Sequence, residues 1–426
     1  MPELRTSIKS AIKNKELRDI VSLIFLQGVN YIMPVLVLPY LITVIGAEGF
    51  GIYSFALSVC QYLILIVDFG FNLSATKQIA IHKGNKEKVS KIFSDTVYAK
   101  IFLMLISLII AFALSLVPNF AIYREAIFVM FGMVIGHTLL YVFLFQGLDE
   151  IRWVSFFTAI AKFMVLPLTF IFVKGPEDLY VAVFLQGFVS VVAAIISLIM
   201  IGVKKWVRLV RFSFSGMWNA IKDAFPIFLS SAATSIYTVC FVLILGYFAT
   251  ADVVGQYSAS ERIMRVLVLF IFTPIMQVFY PKVSRIARTN KIESENLYRK
   301  ILYGVICLMS LICIGIYILS YIIVPLAGDD YIGTESIMRI MCLTPIFIGT
   351  GGVIGQIYIL AISDNKYKKY FTKTYIMAAV VAILSIFIFI PTLKAQGAAI
   401  ALLITEVFVM CSFIYYKRKI NKLGAR

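Results

Sequence analysis

Apolar runs of about 20 residues recur from one end of this chain to the other, each long enough to cross a hydrocarbon core of about 30 Å as an α-helix. Backbone polar groups in lipid must be paired within a helix or around a closed barrel. Barrel strands would alternate apolar and polar residues over about 10 positions, and the runs 101–116 and 376–390 do not alternate. The chain therefore reads as an all-α polytopic membrane protein. Of its 426 residues 61% are hydrophobic, against about 45–50% in soluble domains, and lipid is the solvent that such a surplus needs.

Twelve spans are expected, at 18–45, 51–80, 92–117, 121–146, 153–173, 178–202, 223–249, 255–281, 301–325, 336–362, 369–391 and 396–416. They divide the chain into an N-terminal segment 1–17, a first six-helix bundle 18–202, a linker 203–222, a second bundle 223–416 and a tail 417–426. Residues 1–18 are charged and polar and the apolar stretch after them is too long for a signal h-region, so no cleavable signal peptide is expected.

The formal charge of +17 would suggest nucleic acid in a soluble protein, but its placement argues for topology. Lys77, Lys83, Lys86, Lys88, Lys91, Lys204, Lys205, Arg208, Arg211, Lys282, Arg285, Arg288, Lys291 and Lys366 all fall on one side of the spans, with both chain ends. The other side has Arg124, Lys174 and Lys394 among Glu48, Glu177, Asp178, Asp252, Asp329 and Asp330. The positive-inside rule places both termini in the cytoplasm. Trp153, Trp206 and Trp218 fall at the same ends of their spans, as an aromatic belt would. No nucleic-acid partner is expected. The six cysteines lie inside apolar runs without metal-like spacing and read as packing residues.

An internal repeat at an offset of 204 residues sets the architecture. Ala47-Glu48-Gly49-Phe50-Gly51-Ile52-Tyr53-Ser54 aligns with Ala251-Asp252-Val253-Val254-Gly255-Gln256-Tyr257-Ser258. The register extends into the spans. Gln27, Asn30, Tyr31 and Pro34 of span 1 match Ser231, Thr234, Ser235 and Thr238 of span 7. Ser54, Ser58, Gln61 and Asp68 of span 2 match Ser258, Arg262, Arg265 and Phe272 of span 8. Each set shares one helix face. Two parallel halves of six spans, related about the membrane normal, form the plan of a transporter with its site between the halves. Small polar residues also serve as glue between helices; the repetition favours a cavity.

A charge at mid-membrane costs about 2.5–3.5 kcal/mol on insertion scales, so Arg262 and Arg265, one turn apart, need a reason. Glu261 can pair with Arg265 at i+4, which leaves Arg262 the freer cation. Planar guanidinium forks suit pyrophosphate. Lys162 lies mid-span 5, one turn before Pro167. Lys100 is placed to snorkel, and Arg339 to pair with Asp329, Asp330 or Glu335. Asp68 is expected to bind a coupling proton or cation or to pair with Lys162; Glu406 is a second intramembrane carboxylate, and His137 reads as structural. The sequence has no GxxxxGK[ST], HExxH or GxSxG motif, and no loop long enough for a catalytic domain. A secondary transporter is expected, with no cofactor beyond a coupling H+ or Na+.

Several segments resemble one known family. Pro39-Tyr40-Leu41 through Gly46–Ser54, Asp68-Phe69-Gly70-Phe71-Asn72, Phe145-Gln146-Gly147, Tyr257-Ser258 with Glu261-Arg262, and Pro281-Lys282-Val283-Ser284 are similar, in order and spacing, to Wzx-type O-antigen and polysaccharide flippases. These belong to the multidrug/oligosaccharidyl-lipid/polysaccharide exporter superfamily. The resemblance implies two six-helix bundles around a V-shaped cationic cavity lined by spans 1, 2, 7 and 8, in a bacterial inner membrane. It implies an undecaprenyl-pyrophosphate-linked oligosaccharide as cargo, an ion gradient as drive, and a polysaccharide polymerase and chain-length regulator as partners. On that reading Arg262, Arg265 and Lys162 meet the phosphates, Gln27, Asn30, Tyr31, Gln61 and Thr234 meet sugar hydroxyls, and Asp68 or Glu261 couples the ion. The rival readings are a drug/cation antiporter of the same superfamily, which would want acidic groups in its cavity, a membrane-embedded polysaccharide polymerase, and a lipid II flippase, which would carry extra helices.

Overall fold

A computed structural model describes residues 36–424 of the chain. The apolar runs become helices, because a helix satisfies every backbone group without water. Among the described residues nine stretches are long and apolar enough to cross a membrane. Two of these, Leu36–Ile81 and Lys369–Lys422, span 46 and 54 residues, far more than the roughly 20 a bilayer needs, and each contains a reversal. In α1 (36–68) the backbone turns at Gly46, whose φ of +69° is open to glycine at little cost. In α14 (Lys369–Gly424) it turns at Lys394, φ 47°. The first expected span, 18–45, is described only from residue 36.

Along the first half, α1 is followed by α2 (Phe71–Ile81), α3 (Lys86–Ser115), α4 (Arg124–Met130), α5 (Gly132–Leu139), α6 (Val142–Gly147), α7 (Arg152–Phe172) and α8 (Leu179–Lys204). The second half runs through α9 (Phe214–Phe248), α10 (Ala251–Ile286), α11 (Lys291–Ala327), α12 (Thr334–Met341), α13 (Thr344–Val353), a π-helical stretch Ile354–Ile362, and α14. Expected span 4 is therefore three short helices, and span 10 is two helices continued by the π stretch. The connection between the halves is 205–213, shorter than the expected 203–222, because α9 begins early; Ser213 caps it by accepting from the Gly216 amide.

The two halves close on each other at the end carrying Gly46. A Cβ on Gly51 would overlap the Ala251 carbonyl and lie 2.7 Å from its carbon. A Cβ on Gly255 would do the same to Ala47, 2.8 Å from that carbonyl carbon. The repeat thus appears in space as a reciprocal contact of small residues, the way helices approach closely in membranes. Ser54 and Ser258, one turn further along each copy, are buried beside it.

A second contact ties the same end. The Tyr331 hydroxyl, on the turn between α11 and α12, donates to the Ile42 carbonyl across the halves at 3.0 Å. That carbonyl belongs to the last turn before Gly46, where helical acceptors lack partners. Burial, and then the Asp330 carboxylate, push the Tyr331 phenol well above its ordinary range, so it stays a donor at physiological pH. Tyr331→Phe is expected to lower stability by about 1 kcal/mol in thermal unfolding, whereas Tyr303→Phe, on a side chain 70% exposed, should change nothing.

Candidate functional site

A cavity of about 320 Å³ lies where α1, α7, α8 and α10 meet. The reversal at Gly46 lays both arms of α1 along it: Leu38 and Leu41 come from one arm, Tyr53 and Leu57 from the other. α7 contributes Lys162 and Thr169, α8 contributes Gln186, and α10 contributes Arg262 and Arg265. Arg262 is eleven residues into α10 and Lys162 ten residues into α7. At 1.5 Å per residue each sits roughly 15 Å from its helix start, close to the middle of a bilayer.

The three cations singled out in the sequence therefore converge on one space, although two come from the second half and one from the first. Among the described residues the cavity lining contains no Asp or Glu. Arg265 is held by Glu261: Nε donates to Oε1 at 2.5 Å and Nη2 reaches the same oxygen. Glu406, on α14, is a second acidic neighbour of Arg265. Arg262 instead lies over the rings of Phe50 and Tyr53, 5.8 and 5.9 Å from their centroids, and among the described residues no carboxylate comes within ion-pair distance of it. The expected division, Arg265 paired and Arg262 freer, is what the geometry shows. Cation–π contact holds the Arg262 guanidinium by its face and leaves its in-plane N–H donors for a ligand.

Two further residues of the site are marked only indirectly in the sequence. Tyr53 donates to Gln186 Oε1 at 3.1 Å across the cavity wall; Tyr53 is in the repeat, and Gln186 is a lone amide in an otherwise apolar span. Gln61 is exposed and is not among the residues that line this cavity. Gln27, Asn30 and Tyr31 lie outside the described residues, as does the side chain of Thr234.

The remaining ionic expectations change partners. Asp68 pairs with Lys100, at 3.0 Å, rather than with Lys162. Lys100 does not snorkel; it is 1% exposed and also donates to the His137 carbonyl at 2.8 Å. Arg339 packs over the Tyr321 ring at 4.4 Å, and among the described residues no ion pair joins it to the acidic turn.

A polytopic helical protein with a mid-membrane cationic cavity between repeated halves is a membrane transporter. Comparison with known proteins agrees. Residues 17–287 match the family model described as polysaccharide biosynthesis protein, and the chain belongs to that family. It is 31% identical over 408 residues to a proposed O-antigen transporter of Escherichia coli (strain K12), covering 95% of this chain and 97% of the relative. It is 30% identical to a proposed O-antigen transporter of Shigella dysenteriae, covering 92% and 98%. Among solved structures it superposes on the lipid II flippase MurJ in an inward closed conformation, TM-score 0.71 at 16% identity, covering 92% of this chain and 87% of that one. An inward-facing multidrug resistance MATE family transporter of the MOP superfamily gives 0.65 at 14% identity, covering 93% and 99%. The shared fold has two lobes, and the relatives are transporters and flippases rather than enzymes.

Proposed function

We propose that this protein is a flippase for an undecaprenyl-pyrophosphate-linked oligosaccharide, working by alternating access in the bacterial inner membrane. The observation that carries the reading is the cavity in which Lys162, Arg262 and Arg265 meet with no lining carboxylate. A pyrophosphate brought to mid-membrane needs compensating charge, and guanidinium donors aimed into a largely apolar space supply it with directed hydrogen bonds. A cationic drug would meet repulsion there. The O-antigen transport attributed to the two relatives supports the same cargo class. In this reading the basic face is cytoplasmic, the head group enters from that side and the polyprenyl tail remains in lipid. Tyr53 and Gln186 offer hydrogen bonds to the sugar nearest the phosphates. A proton or sodium gradient resets the carrier, with Glu261 as the acid next to the phosphate-binding arginines.

The test uses cells lacking this protein, in which lipid-linked repeat units exposed on the periplasmic face are quantified. Restoring the wild-type chain should restore exposure. Arg262→Ala, at equal membrane level, should lower the rate at least about tenfold, since a hydrogen bond to a charged group contributes about 1.5–3 kcal/mol. Equal restoration by both chains would remove Arg262 from the site. Units already exposed without the protein would overturn the flippase reading.

A further inference from the structure

Two spans of the first half break at the same place, and one buried lysine holds both breaks. α1 ends at Asp68, followed by Phe69 at φ 41° and Gly70 at φ 84°. α5 ends at Leu139, and Leu140 and Tyr141, with ψ of 95° and 63°, separate it from α6. Beyond the breaks α2 and α6 pack on each other: Gly147 leaves no room for a Cβ beside Ile79, and Thr76 Oγ1 donates to the Phe143 carbonyl at 3.2 Å. Lys100, reaching in from α3, bonds the Asp68 carboxylate on one side and the His137 carbonyl on the other. Both acceptors lie in the final turns of helices, where carbonyls lack partners and a cation is favoured. Asp68, Lys100 and His137 are the titratable groups that meet there.

The break at Phe69–Gly70 faces the second half. The Phe69 ring stacks on Phe228 of α9, centroids 4.2 Å apart and planes 10° apart. Gly70 fits against Ile227 and the Ala224 carbonyl, and Ala224 is fully buried.

We propose that the paired breaks at Phe69–Gly70 and Leu140–Tyr141 form a hinge whose Phe69 and Gly70 close the basic-face seam against Ala224, Ile227 and Phe228 of α9, and that Lys100 is the positioning residue pinning it shut. A static ion pair would not need two helix breaks to converge on one ammonium group. Two-residue breaks of left-handed or irregular backbone can absorb a change of direction, as hinge segments do, and a turn at Phe69–Gly70 would lift both residues from α9. The purpose of the hinge rests on the transport reading above; its motion does not.

The motion is read without transport. In the full chain with its six native cysteines replaced, Ala224→Cys is labelled by a membrane-impermeant thiol reagent in inside-out vesicles. Lys100→Met should speed labelling at least about tenfold, Asp68→Asn should do likewise, and Lys100→Arg should stay near the parent. Equal rates in all of these at equal folded amounts would overturn the hinge. Where Lys100→Met fails to accumulate, a second measurement decides: Phe69→Cys with Phe228→Cys, joined by a short cleavable cross-linker. Cross-linking should stop export of the lipid-linked repeat unit and cleavage should restore it. Export unaffected by the cross-link would overturn the gate. A parent chain that exports nothing counts against the proposed function and leaves the labelling result to decide the hinge.

Discussion

Gly51→Val is expected to prevent the two halves from closing at the Gly46 end, with a loss of about 3 kcal/mol or more in the stability of the closed form. The side chain would have to occupy space already filled by the Ala251 carbonyl and the Gly255 amide, 2.9 Å from the new Cβ. These are backbone atoms of a helix and cannot rotate aside as a side chain could. Relief requires moving α10 away from α1, which also breaks the reciprocal contact of Gly255 with Ala47. The measurement is thermal unfolding of the purified protein together with cross-linking of Ala47→Cys to Ala251→Cys. Gly304→Val is the control, because nothing lies within 4 Å of its Cβ position. If Gly51→Val melts and cross-links like the control, the seam is not a tight closure.

Arg265→Leu is expected to cost about 2–3 kcal/mol, more than Arg262→Leu, although both remove a cation from the same helix. Removing one partner of a buried ion pair leaves the other charge uncompensated. Glu261, 14% exposed, would lose its partner, with Glu406 a further acidic group nearby. The figure is below the fully buried range because the Arg265 side chain is 35% exposed. Arg262 leaves only aromatic rings behind. Adding Glu261→Gln to Arg265→Leu should recover most of the loss in a thermal unfolding series. Equal destabilisation by the two single changes would show that Glu261 is not held by Arg265. The functional ranking should be the reverse, with export depending more on Arg262.

Much of this site could be read before any fold was known. A charge inside an apolar run has to be explained, which is why Lys162, Arg262 and Arg265 stood out. The i+4 spacing alone assigned Glu261 to Arg265. The repeat located the seam, since Gly51 and Gly255 occupy matching positions in its two copies. Helical periodicity gives a residue's face but not the neighbour that the face meets. Ser54 and Ser58 are buried while Gln61, on the same stripe, is exposed. The partner of Asp68 depends on where α1 and α5 stop. Gly70 alone signals that weakly, and Leu140–Tyr141 carries no proline or glycine to mark it. In the sequence Lys100 reads as a surface-seeking side chain, because its depth is visible there and its partners are not.

The reciprocal fit of Ala47 and Gly51 with Ala251 and Gly255 has the form of an isologous dimer interface made within one polypeptide. Two separate chains would need a far larger contact to remain associated. Here the linker 205–213 makes closure intramolecular, with an effective concentration on the order of millimolar. The contact can therefore be weak enough to open and re-form without the partners ever being lost.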